Sequence, residues 1–396
     1  MKLRTLQNID VQNKRVLMRV DFNVPLREGE VGDDSRIRAT LPTINHLREQ
    51  GATLVLMSHL GRPKGTEAKL RLEPVAQHLS NLLGTEVRYQ ASQGPTTPDM
   101  ADFVKSAPDG SVTLLENLRF DKRETENDED FAKELAAFGE VYVNDAFGAA
   151  HRAHASTEGV AHLLPSAAGL LLEREVRVLS KLLEAPEKPF KVILGGAKVS
   201  DKIGVIENLL DVVDEILVGG AMAYTFVKAQ GGEVGKSLVE SDKLDVARDV
   251  LQKAEAKSVT LRLPQDSVCA TKIEANVATE VHPSDAIPEE QMGLDAGPEA
   301  VATYQKALED AKTILWNGPL GVFEVPPFDS GTRVIAQTVA ALDAYSVVGG
   351  GDSVSAVNAS GLADKIKHIS TGGGASLEFL EGQTLPGVAA LLDEGA

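Results

Sequence analysis

Val192-Ile193-Leu194-Gly195-Gly196-Ala197-Lys198-Val199-Ser200-Asp201-Lys202 decides how this chain is read. An apolar run of strand type passes directly into two glycines, and the helical pattern of residues 203–210 follows. Strand, glycine turn and helix are the opening of a βαβ unit. Glycines let the backbone approach an anion, the helix start offers free N–H groups, and the lysines bring charge. The bland reading of the same segment is a tight strand-to-helix turn with solvated lysines.

Moving outward, the pattern repeats. Short aliphatic runs at residues 15–20, 53–57, 111–115 and 141–143 alternate with helical stretches, and 191–194, 215–218, 258–263, 313–316 and 346–348 continue the series. That rhythm predicts an α/β protein with two doubly wound, Rossmann-like parallel sheets, two domains facing each other across a cleft. Residues 170–183 carry helical spacing and run into Pro186 and Pro189. We therefore expect domains at 1–185 and 186–375, with a terminal segment, 376–396, whose residues 388–392 have the pattern of a small helix.

At 396 residues the chain exceeds the usual size of one core, and 43% hydrophobic with 25% charged residues is ordinary globular composition. A net charge of -18 disfavours nucleic acid and anionic membranes as partners, so any anion site has to be local. The single cysteine, the absence of an apolar leader pattern in MKLRTLQNID and the lack of a long apolar run predict a cytoplasmic protein.

Two more glycine-rich loops follow strand-like runs: residues 349–353, Gly-Gly-Gly-Asp-Ser, and 371–376, Thr-Gly-Gly-Gly-Ala-Ser. Asp352 is the candidate magnesium contact, because a hard cation carried by a nucleotide takes a carboxylate and keeps its waters. An N-cap role is the alternative for Asp352. Residues 231–237 approach a Walker A pattern, but the glycine spacing fails and we read a structural turn. In the first half, Asp21 and Asn23 follow a strand, and Arg36, His59, Arg62, Arg119 and Arg152 lie in or beside loops. Arginine forks match phosphate and carboxylate oxygens, although each singly also suits a surface ion pair. His151-Arg152-Ala153-His154 lacks the partners of a metal site and reads as an anion contact.

Together these segments resemble the phosphoglycerate kinase family almost end to end. The resemblance is carried by residues 19–25 (RVDFNVP), 58–63 (SHLGRP), 116–120 (ENLRF), 144–154 (NDAFGAAHRAH), 195–202, 317–324 (NGPLGVFE), 349–353 and 371–376. It implies phosphoryl exchange between 1,3-bisphosphoglycerate and ADP, giving 3-phosphoglycerate and ATP, with Mg2+ carried on the nucleotide, in a protein that is usually monomeric.

The N-terminal domain would hold the phosphoglycerate, with Asp21 and Asn23 near its hydroxyl and Arg36, His59, Arg62, Arg119 and Arg152 around its anionic groups. In the second domain Lys202, Gly350, Gly351, Asp352 and Ser353 would meet the phosphates and magnesium, Glu324 the ribose, and Gly219, Gly220, Gly293 and Leu294 the adenine. The last segment would return to the N-terminal domain. Ser353 and Ala149 stand where the family usually or often has Thr.

The acceptor carboxylate is already ionised at neutral pH, so no general base is needed. Lys198 and Arg36, with the N–H groups of Gly373 and Gly374, are the expected stabilisers of the moving phosphoryl group, transferred once the lobes close. A dehydrogenase reading lacks a GxGxxG opening its first βαβ unit, and a sugar-phosphate-binding protein would usually carry an export signal.

Overall fold

In a computed structural model, which describes residues 2–393, the chain forms two compact units. One comprises residues 2–177 with 384–393, the other Val178–Gln383. No described helix is long and apolar enough to cross a membrane.

The N-terminal unit is built on a six-stranded parallel sheet of β1 (Arg15–Arg19), β2 (Thr53–Met57), β3 (Val87–Tyr89), β4 (Val112–Leu114), β5 (Val141–Asn144) and β6 (Ser166–Ala168). Their order is β3-β4-β2-β1-β5-β6. In β2 all five residues are buried, because helices cover both faces of a parallel sheet and exclude the usual polar alternation. Val16, Met18, Leu54, Leu56 and Val143 pack with Ile37, Ile44 and Leu47 of helix Ser35–Glu49 in one core.

The second unit repeats the plan with β7 (Phe190–Leu194), β8 (Glu215–Val218), β9 (Thr260–Arg262), β10 (Thr313–Asn317), β11 (Tyr345–Gly349) and β12 (His368–Ile369), in the order β9-β8-β7-β10-β11-β12. Counted from β7 this is the 3-2-1-4-5-6 arrangement of dinucleotide-binding sheets, whose strand order reverses between β7 and β10. Its core joins Ile193, Leu217, Ile314 and fully buried Trp316 to Tyr304, Ile335 and Val339.

All nine expected strand regions contain strands. Three further strands, β3, β6 and β12, are three, three and two residues long, too short to print a pattern. An antiparallel sheet of Asp266–Ala270, Glu280–Pro283 and Met292–Ala296 was also not foreseen, and it presents Gly293 and Leu294.

The expected break at 185/186 compares with a division at 177/178, inside helix Leu170–Glu184, which ends just before Pro186. The expected division at 375/376 compares with one at 383/384. Helix Gly374–Leu380 stays with the second unit, where Asn208 Nδ2 donates to the Leu380 carbonyl at 2.8 Å. Beyond it a single helical turn, Pro386–Ala389, precedes a bridge between Leu392 and Leu3 in the N-terminal unit. The Walker-like stretch contains the short strand Glu233–Val234, paired with Ala286–Ile287.

Candidate functional site

In an open parallel sheet, ligands gather where the chain leaves the carboxyl ends of strands. In the N-terminal unit Asp21 and Asn23 follow β1, His59 and Arg62 follow β2, Arg119 follows β4, and Arg152 lies in the loop after β5. Arg62, Arg119 and Arg152 line a cavity of about 620 Å³, with Lys64, Lys122 and His154 on the same wall.

Its loops are tied from below. Buried Asn117 accepts the N–H groups of Leu60 (3.2 Å) and Arg119 (3.1 Å) and donates to the carbonyls of Leu60 and Leu70, both at 2.9 Å. Arg119 Nη1 donates to the Gly61 carbonyl at 2.8 Å, and Gly61 N–H donates to Asn23 Oδ1 at 2.9 Å. Arg36 pairs with Asp21 Oδ2 at 3.1 Å.

Charge in this region is overwhelmingly positive, and it acts on the histidines. Burial, then the fields of Arg19, Arg119 and Arg36, hold His59 well below the ordinary histidine range, and burial with the fields of Arg19, Arg119 and Arg152 pushes His154 down to about 4. Both imidazoles are neutral at pH 7. Arg19 itself is 1% exposed, and its side chain lies between Ser156 and His59.

In the second unit the reversal between β7 and β10 places the Gly195 turn against the Gly318 turn. A Cβ on Gly195 would lie 1.9 Å from the Pro319 carbonyl oxygen, so only glycine fits. Gly318, at φ +100, is in the left-handed region, and a Cβ on it would lie 2.1 Å from the Gly195 carbonyl oxygen. A cavity of about 520 Å³ opens beside these turns. Gly220, Gly293, Leu294, Glu324 and Asp352 line it, while Gly219 is buried behind, against Leu320.

Lys202 is buried and donates to Asn317 Oδ1. Burial lowers its pKa, and the nearby carboxylates of Asp201, Asp352 and Glu381 oppose that. The Asn317 amide nitrogen is buried without a partner beside Gly350, a donor left open among the glycine turns.

Gly350 and Gly351 begin helix Gly351–Ala359, with Asp352 exposed in its first turn. Ser353 points inward, where its Oγ accepts the Gly318 N–H at 2.5 Å, so the hydroxyl braces the β10 turn. Gly373 caps and Gly374 opens helix Gly374–Leu380. Lys198 is exposed and forms no ion pair with a described residue. Lys198, Lys202, Gly350, Gly351, Ser353, Gly373 and Gly374 lie outside the cavity lining proper.

Sequence reasoning missed Arg19, hidden in a strand, and the apolar wall of the second cavity. There Leu238 (55% exposed) and Ile273 (53% exposed) stand with Tyr224 and Lys236. Large apolar side chains left open beside a glycine-walled cavity fit a flat, uncharged ring system. Their positions belong to no helical or strand period, so no sequence signal marks them.

The phosphoglycerate kinase family model matches residues 6–383. A phosphoglycerate kinase of Thermus thermophilus is 56% identical over 390 residues, covering 98% of this chain and 100% of that one. One from Moorella thermoacetica is 55% identical over 392 residues, covering 98% and 99%. Among solved structures, the phosphoglycerate kinase of Coxiella burnetii superposes with a TM-score of 0.89 at 44% identity, and that of Pyrococcus horikoshii with 0.86 at 33%. Each covers 98% of both chains. With a family match over nearly its whole length and relatives this similar, the chain belongs to the phosphoglycerate kinase family.

Proposed function

We propose that the protein catalyses reversible phosphoryl transfer between 1,3-bisphosphoglycerate and ADP, yielding 3-phosphoglycerate and ATP, as a cytoplasmic monomer serving glycolysis and gluconeogenesis. The observation that carries the reading is the presence in one chain of an arginine-walled anion cavity and a glycine-walled, partly apolar one.

Arg62, Arg119 and Arg152 hold the anionic groups of the phosphoglycerate, His59 adds an uncharged donor, and Asp21 and Asn23 meet its hydroxyl. Gly219, Gly220, Gly293 and Leu294 take the adenine and Glu324 the ribose. Lys202, the Asn317 amide and the turns at Gly350, Gly351 and Ser353 take the phosphates.

Magnesium fits this donor set. Asp352 offers one exposed carboxylate at the nucleotide cavity, and among the described residues no group of three His, Cys, Asp or Glu side chains could hold an ion unaided. One carboxylate, phosphate oxygens and retained water suit a Mg2+ that arrives with the nucleotide. When bound, the ion neutralises charge on the phosphate oxygens.

The residues of the chain do the rest. A carboxylate with a pKa near 4 is already a nucleophile at pH 7, so no base is needed to activate it. What remains is alignment and neutralisation of charge on the transferred group. Lys198, Arg36 and the N–H groups of Gly373 and Gly374 supply that neutralisation. A coupled assay for ATP formed from 1,3-bisphosphoglycerate and ADP tests the proposal: Mg2+-dependent ATP is expected, and no ATP with either substrate saturating overturns it.

A further inference from the structure

Close to the cavity residues Arg119 and His154, four buried side chains are joined in one chain of hydrogen bonds. Arg19 has only donors, so its Nε–H must donate to Ser156 Oγ at 2.8 Å. The hydroxyl proton of Ser156 therefore goes elsewhere, to Glu124 Oε1 at 2.6 Å, while Ser156 N–H donates to Glu124 Oε2 at 3.0 Å. At the other end, Arg19 Nη2 stands 3.0 Å from His59 Nδ1. An obligate donor there makes Nδ1 an acceptor, which leaves the ring hydrogen on Nε2. No described residue bonds Nε2.

We propose that Glu124 and Ser156 are positioning residues that act through Arg19 to lock His59 as the neutral Nε2–H tautomer, leaving that N–H as its donor to the phosphoglycerate. The proposal rests on the functional reading above and deepens it. Glu124 is fully buried and Arg19 nearly so; burial raises the Glu124 pKa, and the field of Arg19, the two hydrogen bonds from Ser156 and the field of Arg119 oppose that rise. The groups acting on His59, namely Arg19, Arg119, Arg36 and His154, all disfavour a proton on the ring. His59 would thus give the site a directional donor that pH does not switch, while the arginines carry the charge.

The test is nitrogen-15 NMR of the histidine side chains in the full chain, without ligand, from pH 5 to 8. His59 is expected as the Nε2–H tautomer throughout, and either an Nδ1–H ring or an imidazolium at pH 6 overturns the relay. Two variants follow: Ser156→Ala, and Arg19→Met combined with Glu124→Gln, which removes both buried charges together and avoids stranding one. In the double variant His59 should titrate or mix tautomers within that range. The KM for 3-phosphoglycerate should rise about tenfold, the scale of one hydrogen bond, and should follow the new titration, with kcat falling less than KM rises. A raised KM with the His59 spectrum unchanged in both variants would reduce the relay to packing and sink the proposal. Because the ring is observed without substrate, its failure is distinguishable from absent ATP formation, which would sink the functional reading instead.

Discussion

At the scale of single residues, the lysines of the glycine turn differ in burial. Lys202 is buried and tied to Asn317, so it is fixed before any ligand arrives, whereas Lys198 is exposed and unpaired among the described residues. A side chain with no ground-state partner is free to spend its charge on a developing one. Lys198→Ala should lower kcat by at least about a hundredfold, the loss seen for one oxyanion donor, and steady-state kinetics with turnover near normal would remove Lys198 from that role. Gly195→Ala tests the turn itself. The added Cβ meets backbone at 1.9 Å, and neither the Pro319 carbonyl nor the β7 end can yield without moving the Gly318 turn. Overpacking of this kind costs about 1–3 kcal/mol or more. A lower Tm and a weakened thermal shift with ADP are expected, and an unchanged ADP response would show the turn to be more pliant than its contacts imply.

At the scale of elements, the start of helix Leu170–Glu184 depends on a carboxyl group from the loop after β5. Asp145 Oδ1 accepts the N–H groups of Leu171 (2.9 Å) and Leu172 (3.3 Å), while Oδ2 is buried with no partner. Burial pushes this group up to about 7 from an ordinary 3.8. Between those pH values the folded chain holds a proton the unfolded chain has lost. The stability it contributes is therefore complete below pH 4 and declines as pH rises through 7. Asp145→Asn keeps the accepting oxygen without the charge, so it should flatten the fall of Tm between pH 5 and 8, and an unaltered slope would show that Asp145 does not titrate there. The sequence displayed Asp145 only as part of a family stretch, because burial comes from tertiary packing. The long strands and the glycine turns were legible for the opposite reason: β2 and β7 contain the apolar runs 54–57 and 192–194, which show their burial directly. Ser166-Ala167-Ala168 of β6 has no such signature, and Leu238 and Ile273 lie outside any strand or helix, where no period marks them. Arg19 stands in the stretch 19–25 with no pattern of its own, since nothing in a linear sequence distinguishes a buried arginine from a ligand-facing one.

At the scale of the whole molecule, the chain leaves its first unit at Arg177, completes a second, and returns at Thr384. The returning segment is held by its own contacts. Arg4 donates to the carbonyls of Ala390 (2.6 Å) and Leu392 (2.8 Å), Gly387 N–H donates to the Ala150 carbonyl (2.8 Å), and Leu385, Val388 and Leu391 are at most 2% exposed. Three such side chains contribute about 1.5–3 kcal/mol each when fully buried, a sum comparable with the whole stability of an ordinary domain, about 5–15 kcal/mol. A chain ending at Gln383 should therefore keep the β7–β12 unit and lose much of the N-terminal one. The Ala150 contact adjoins His151 and Arg152, so the anion cavity should suffer first. Thermal unfolding is expected to split, with an early transition absent from the full chain, while ADP still raises the Tm of the later one. A single transition at the original temperature would mean that the tail rests on the N-terminal unit without supporting it.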